Sequence, residues 1–250
     1  MELIKKQFKN SQLKAVIEDY IQKIMSEFIK LKMKHMYFKF KYLKYSKLHK
    51  TYSHFTMIPK LLYYANLDLC NTFKSIPGAV VECGTWKGGM IAGIAEVLGP
   101  DRNYFLFDSY EGLPDATEKD GKSAFDYQQN KNSPGYYDNC KASQQSAIDA
   151  MRLSGAKNVK ITKGWFNETL PKQQFKNGIA ILRMDADWYD STMDILTNLF
   201  PQMNKGGVII IDDYYHWEGC TRAVHDYLSK QECTEAITST SLGVCFIVKK

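Results

Sequence analysis

Acidic residues stand where short apolar runs end. Glu82 lies within Ala79–Cys83, and Asp108 closes Tyr104–Phe107. Asp185 and Asp187 follow Ile179–Met184, and Asp212 and Asp213 follow Gly207–Ile211. A helix cap or turn would account for any one of them. The set needs more, because unpaired charge beside a core is costly. Asp185 and the Asp212-Asp213 pair end two strands expected to be neighbours, and adjacent like charges call for a shared positive partner. Oxygen-only ligation by Asp185, Asp212 and Asp213 suits Mg²⁺, with Mn²⁺ or Ca²⁺ as alternatives.

A second group precedes a helix. Glu82-Cys83-Gly84-Thr85-Trp86-Lys87-Gly88-Gly89 joins the first strand to that helix, and its glycines let backbone approach a ligand closely. The spacing is not G-x-G-x-x-G, so a dinucleotide pyrophosphate fits poorly. Asp108, ending the next strand, is placed to accept hydrogen bonds from both hydroxyls of a ribose. The two features predict an adenosyl ligand without a pyrophosphate. They argue against an NAD-dependent oxidoreductase.

The elements that must position these groups alternate. Strands are expected at 79–83, 104–108, 159–162, 179–184, 207–211, 234–239 and 242–248. Helices are expected at 58–73, 90–98, 139–153, 190–203 and 218–229. Such alternation predicts an α/β fold, a doubly wound, mostly parallel seven-stranded sheet with helices on both faces. Ligands then bind beyond the C-terminal strand ends at the switch point. A short polar turn joins the last two strands, so one of them runs antiparallel. The polar stretch 109–135 reads as a long functional loop.

Of 250 residues, 44% are apolar and 24% charged, which excludes a disordered or low-complexity chain. No apolar run is long enough to span a bilayer, and no secretory h-region follows Lys5 and Lys6. The six cysteines form no C-x-x-C pair, so they are expected reduced, in a cytoplasmic protein. Residues 1–50 carry 13 Lys, no Arg and four acids, a net charge of +9, while the remainder is −3. The basic balance thus belongs to an N-terminal arm, 1–50, and does not mark the 51–250 domain as binding nucleic acid. Within the arm, Ile17, Ile24, Leu31, Phe38 and Tyr45 recur every seven residues, with Ile21, Phe28, His35, Tyr42 and His49 between them. That spacing predicts a helix burying one stripe, and packing or homo-oligomerisation ranks ahead of contact with an anionic membrane. His35–Tyr42 also alternates, leaving a strand open there. Lys50–Pro59 reads as a connector.

The chain resembles the macrocin O-methyltransferase (TylF/MycF/NovP-like) family of class I S-adenosylmethionine-dependent methyltransferases. The resemblance covers about residues 54–248. It rests on Val81–Gly89, Asp108-Ser109-Tyr110-Glu111-Gly112-Leu113-Pro114, Gly164–Pro171, Leu182–Thr192 and Gly206–Tyr214 with Gly219-Cys220. It implies Mg²⁺-dependent methylation of a sugar hydroxyl in polysaccharide or natural-product biosynthesis. The acceptor would be a small-molecule glycoside or a nucleotide sugar. A sugar C-methyltransferase and a catalytically silent binding protein of the same fold are the alternatives. It further implies that Glu82 and the turn with Gly84, Thr85, Gly88 and Gly89 hold the methionine part of the cofactor. Asp108 and Ser109 would meet the ribose, Gly164 and Trp165 the adenine, and Thr56-Met57 would close over the site. Asp185, Asp212 and Asp213 would bind the metal. Asp185, Asp187 and His216 are the candidates for the base, His216 because imidazole titrates near neutral pH.

Overall fold

The structure is a computed structural model. It describes residues 42–250 and, before them, Lys23, Met25, Glu27, Ile29, Lys32, Met33, Met36 and Phe40. The chain forms two units, Met1–Lys44 and Tyr45–Lys250.

In the first unit the described residues from Lys23 to Phe40 are helical, as is Tyr42, so Met36, Phe40 and Tyr42, the described members of His35–Tyr42, are helical where a strand was left open. Most of the seven-residue stripe lies outside the described residues. Of its members, Tyr42 and Tyr45 are buried and His49 is partly so.

The second unit opens with α1 (Ser46–Tyr52), which lies within the helical arm expected to residue 50 and runs two residues past it into the expected connector. Tyr52 is fully buried and donates to Glu96 Oε1 at 2.8 Å. Then follow α2 (Lys60–Thr72), β1 (Ala79–Cys83), α3 (Gly89–Leu98) and β2 (Asn103–Asp108). Next come α4 (Lys122–Gln129), α5 (Gln144–Leu153), β3 (Asn158–Lys163) and α6 (Phe166–Thr169). The chain ends with β4 (Ile179–Met184), α7 (Tyr189–Leu199), β5 (Met203–Ile211), α8 (Glu218–Lys230), β6 (Ile237–Ser239) and β7 (Cys245–Val248).

The sheet order is β3-β2-β1-β4-β5-β7-β6. β1 to β5 pair in parallel, and β7 is antiparallel to β5 and to β6. Every residue of β1 and β4 is buried, as expected of parallel strands covered on both faces. The chain runs outward from β1 to β3, then returns to β4 and runs the other way. That reversal opens a crevice at the C-terminal ends of β1 and β4.

Of the boundaries that differ from the sequence reading, two lie in the segment between β2 and β3. The stretch 109–135 is not one loop, since it holds a 3₁₀ turn (Glu118–Asp120) and α4. The helix expected from Asn139 starts at Gln144, because Tyr137, Asp138, Asn139 and Cys140 all have φ between 48° and 59°. Left-handed backbone cannot continue into a right-handed helix, and Ser143 caps α5 instead by accepting from the Gln145 N–H.

Candidate active site

A cavity of about 310 Å³ opens at the crevice, within the size range of small-ligand sites. Its lining includes Met57, Glu82, Gly84, Thr85, Asp108, Ser109, Gly164, Trp165, Asp185, Asp187, Asp212, Asp213 and His216. Of the residues expected at the site, Gly88 and Gly89 alone are absent from the lining. They lie just behind it. Gly88 bonds back to Thr85 O at 2.7 Å and Gly89 to Phe55 O at 2.9 Å.

The glycine-rich turn is built by the neighbouring strands. Gly84 has φ +81°, and a Cβ there would fall 1.6 Å from the Asp185 carbonyl oxygen, so only glycine lets β1 and β4 close at this level. Asp108 Oδ2 accepts from the Thr85 and Trp86 N–H groups at 2.8 Å each, and Oδ1 from Tyr110 N–H at 2.6 Å. Asp108 therefore shapes the turn as well as facing the cavity. Burial raises its pKa, and these three donors pull it back.

Arg183 organises the floor. Glu82 and Arg183 are partners in the β1–β4 register. The Arg183 Nη1 donates to Glu82 Oε1 at 2.9 Å and to Asp185 Oδ2 at 2.8 Å, while Nη2 lies 2.5 Å from Asp212 Oδ1. Its Nε reaches Asn66 Oδ1 at 3.3 Å. Arg183 and Glu82 are each only 1% exposed. Burial pushes Glu82 up to about 8 against the pull of the guanidinium, while Asp212, Asp185 and Glu82 hold Arg183 firmly charged against desolvation. Sequence reasoning passed over Arg183. The available signal was a single arginine inside the apolar run Ile179–Met184, where a charge is tolerated only if paired.

Beside this network, Asp185, Asp187 and Asp213 bring ligand oxygens within 4.8 Å of one another. Asp187 joins the group from its expected role as a base, and Asp212 turns to Arg183 instead. Asp213 Oδ2 accepts from the Ala186 and Asp187 N–H groups at 3.1 Å each. Trp217 Nε1 donates to Asp187 Oδ1 at 2.7 Å. Asp187 has φ +55°, a left-handed conformation that Asp adopts more readily than most side chains. Each of the three carboxylates thus has one oxygen fixed by protein donors and, among the described residues, a second oxygen with none.

The charge balance favours a cation. Glu82, Asp185, Asp187, Asp212 and Asp213 face one guanidinium. Burial together with Asp212 lifts Asp185 to about 6, and burial together with Asp185 lifts Asp187 to about 8. Burial and its three carboxylate neighbours push Asp213 well up. The all-oxygen donor set fits a hard divalent ion. A second unmet demand lies under the turn. Glu82 Oε2 is buried and has no partner, an acceptor suited to the ammonium of a methionine moiety.

Residues 55–247 match the family described as Macrocin-O-methyltransferase (TylF). The chain belongs to this family. A demethyldecarbamoylnovobiocin O-methyltransferase of Streptomyces niveus is 32% identical over 189 residues, covering 68% of this chain and 66% of that protein. A mycinamicin III 3''-O-methyltransferase of Micromonospora griseorubida is 32% identical over 168 residues, 65% of each chain. The chain thus spans just under two thirds of the length of these curated relatives. The solved structure of the O-methyltransferase NovP superposes with a TM-score of 0.65 at 28% identity, covering 78% of this chain and 82% of that one. A calicheamicin methyltransferase, at 20% identity and a TM-score of 0.54 over 81% of this chain and 90% of that one, shares the fold.

Other features of the site escaped the sequence reading. Tyr127 of α4, Trp188 and Trp217 form an edge-to-face trio over the acidic group, with ring centroids 5.0 to 6.4 Å apart. Trp188 Nε1 donates to Pro114 O at 2.9 Å, tying the 109–135 segment to the site. His216, expected as a base, stands exposed at the rim.

Proposed function

We propose that the protein methylates a hydroxyl of a sugar, using S-adenosylmethionine and a divalent cation, with Mg²⁺ the first choice. The observation that carries this reading is the acidic group formed by Asp185, Asp187 and Asp213, set against a cavity walled by Gly84, Thr85 and Trp86 of the glycine-rich turn. The cofactor supplies the methyl group, and the cation supplies Lewis acidity that lowers the pKa of a hydroxyl. Glu82 and the turn take the amino-acid end of the cofactor, Asp108 and Ser109 the ribose, and Gly164 and Trp165 the base. Met57 caps that end. Asp185 and Asp213 hold the cation, with Asp212 alongside, and Asp187, fixed by Trp217, keeps its second oxygen for the proton of the acceptor hydroxyl. In-line transfer needs the acceptor held within about 3 Å of the methyl carbon, which is the task of the walls around the acidic group.

The acceptor reading is supported by a relative of Streptomyces olivaceus, 29% identical, whose name specifies 4'-O-methylation of a rhamnosyl tetracenomycin. Among the described residues the cavity lining contains no lysine, and its arginine is already paired with three carboxylates, so no lysine or arginine there is left to take a phosphate, which favours a neutral glycoside over a nucleotide sugar.

The test is Asp185→Asn. Turnover with a panel of glycosides and nucleotide sugars, read by mass spectrometry, should be lost, while calorimetry should still detect S-adenosylmethionine binding. A fully active variant would remove the metal reading, and heat of binding with NAD but not S-adenosylmethionine would remove the methyl-transfer reading.

A further inference from the structure

Six large apolar side chains of the N-terminal unit face solvent in one line. Met25, Ile29, Met33, Met36, Phe40 and Leu43 follow one another at three- or four-residue intervals and are 51 to 69% exposed. At that spacing they fall on one side of a helix, and Met25 to Phe40 extend over about 22 Å. This line shares no member with the seven-residue stripe found in the sequence. An apolar line so long and so exposed marks an interaction surface.

Charge selects the partner. The first 50 residues carry 13 Lys, no Arg and a net charge of +9, and Lys23, Lys32 and Lys44 are among the exposed side chains. Two copies of so basic a segment repel each other, which disfavours a second chain as the cover. A nucleic acid would meet the lysines but leave the Met, Ile, Phe and Leu side chains in water. An anionic lipid surface satisfies both, with lysines at the headgroups and the apolar line in the acyl boundary. No described helix is long and apolar enough to cross a membrane.

We propose that the N-terminal unit docks the protein on anionic lipid bilayers through the line Met25 to Leu43. This stands independently of the methyl-transfer reading. The experiment is co-sedimentation of the full chain with vesicles of phosphatidylcholine alone or mixed with phosphatidylglycerol, at low and high salt. The chain should sediment with the mixed vesicles at low salt, and the bound fraction should drop about tenfold with phosphatidylcholine alone or at high salt. The double variant Met33→Glu/Phe40→Glu should lose binding to a similar degree with an unchanged Tm, since both positions face solvent. Absence of binding to mixed vesicles, or equal binding by the double variant, would overturn the proposal. So would a stable dimer in sedimentation velocity that the double variant dissociates, because the line would then be covered by a second copy.

Discussion

At the residue scale the site depends on which carboxylate oxygens the protein keeps for itself. Trp217 fixes one oxygen of Asp187 and leaves the other directed at the acidic group. Asp187→Asn preserves shape and removes the proton acceptor, so kcat should fall by about 10² to 10⁴-fold while the Kd for S-adenosylmethionine stays within a few-fold. Turnover kinetics paired with calorimetry checks both. A second prediction concerns stability. Asp185 and Asp187 have folded-state pKa values raised to about 6 and about 8, above the ordinary carboxylate value near 4. The folded protein therefore binds more protons than the unfolded chain across that window. The stabilisation is complete below about pH 4 and is lost as pH rises through 6 to 8. In EDTA, Tm should decline across this range, and Mg²⁺ should remove most of the decline. A flat profile in EDTA would show that these groups are not crowded as described. Arg183 opposes the same crowding from inside the sheet. Arg183→Met would leave Glu82 buried without a counter-charge, a change expected to cost several kcal/mol.

At the element scale the strands were legible and the covering segment was not. Parallel strands buried on both faces must be written as apolar runs, so Ala79–Cys83, Ile179–Met184 and the run ending at Ile211 stand out in the sequence. The carboxylates at their ends were legible for the same reason. Their division of labour was not, because it depends on the register that sets Glu82 beside Arg183 and on the Arg183 guanidinium reaching Asp212. Residues 109–143 carry little periodicity and are ordered by side-chain amides. Gln128 donates to Pro114 O and accepts from the Ala116 N–H, both at 2.8 Å, and Asn139 donates to Leu113 O at 2.8 Å. Those contacts are invisible without the fold. They place Tyr127 against Trp188 and Trp217, the latter hydrogen-bonded to Asp187 of the acidic group. Tyr127→Ala should therefore raise the acceptor KM at least several-fold with little change in cofactor affinity. A reversed pattern would place α4 over the cofactor instead. Gly84→Ala should be far more damaging. Its methyl group would overlap the Asp185 carbonyl, and a loss of at least about 4 kcal/mol in stability is expected from denaturant titration.

At the scale of the whole molecule, one topological reversal brings the acidic group and the ligand turn together. β1 supplies Glu82 and the turn, β4 leads into Asp185 and Asp187, and β5 leads into Asp212 and Asp213. Because β4 lies between β1 and β5, the carboxylates lie next to the glycine-rich turn by construction. The arm is a separate matter. Its charge was plain in the sequence, while the exposed apolar line emerged only once helical exposure was known. The central claim is that this shared crevice carries out cation-dependent methyl transfer to a sugar. The most direct test is mass spectrometry of a glycoside incubated with the full chain and S-adenosylmethionine, with Mg²⁺, with EDTA, and with EDTA followed by excess Mg²⁺. The account predicts a gain of one CH₂ in the first and third samples and none in the second. Equal methylation in EDTA would contradict it.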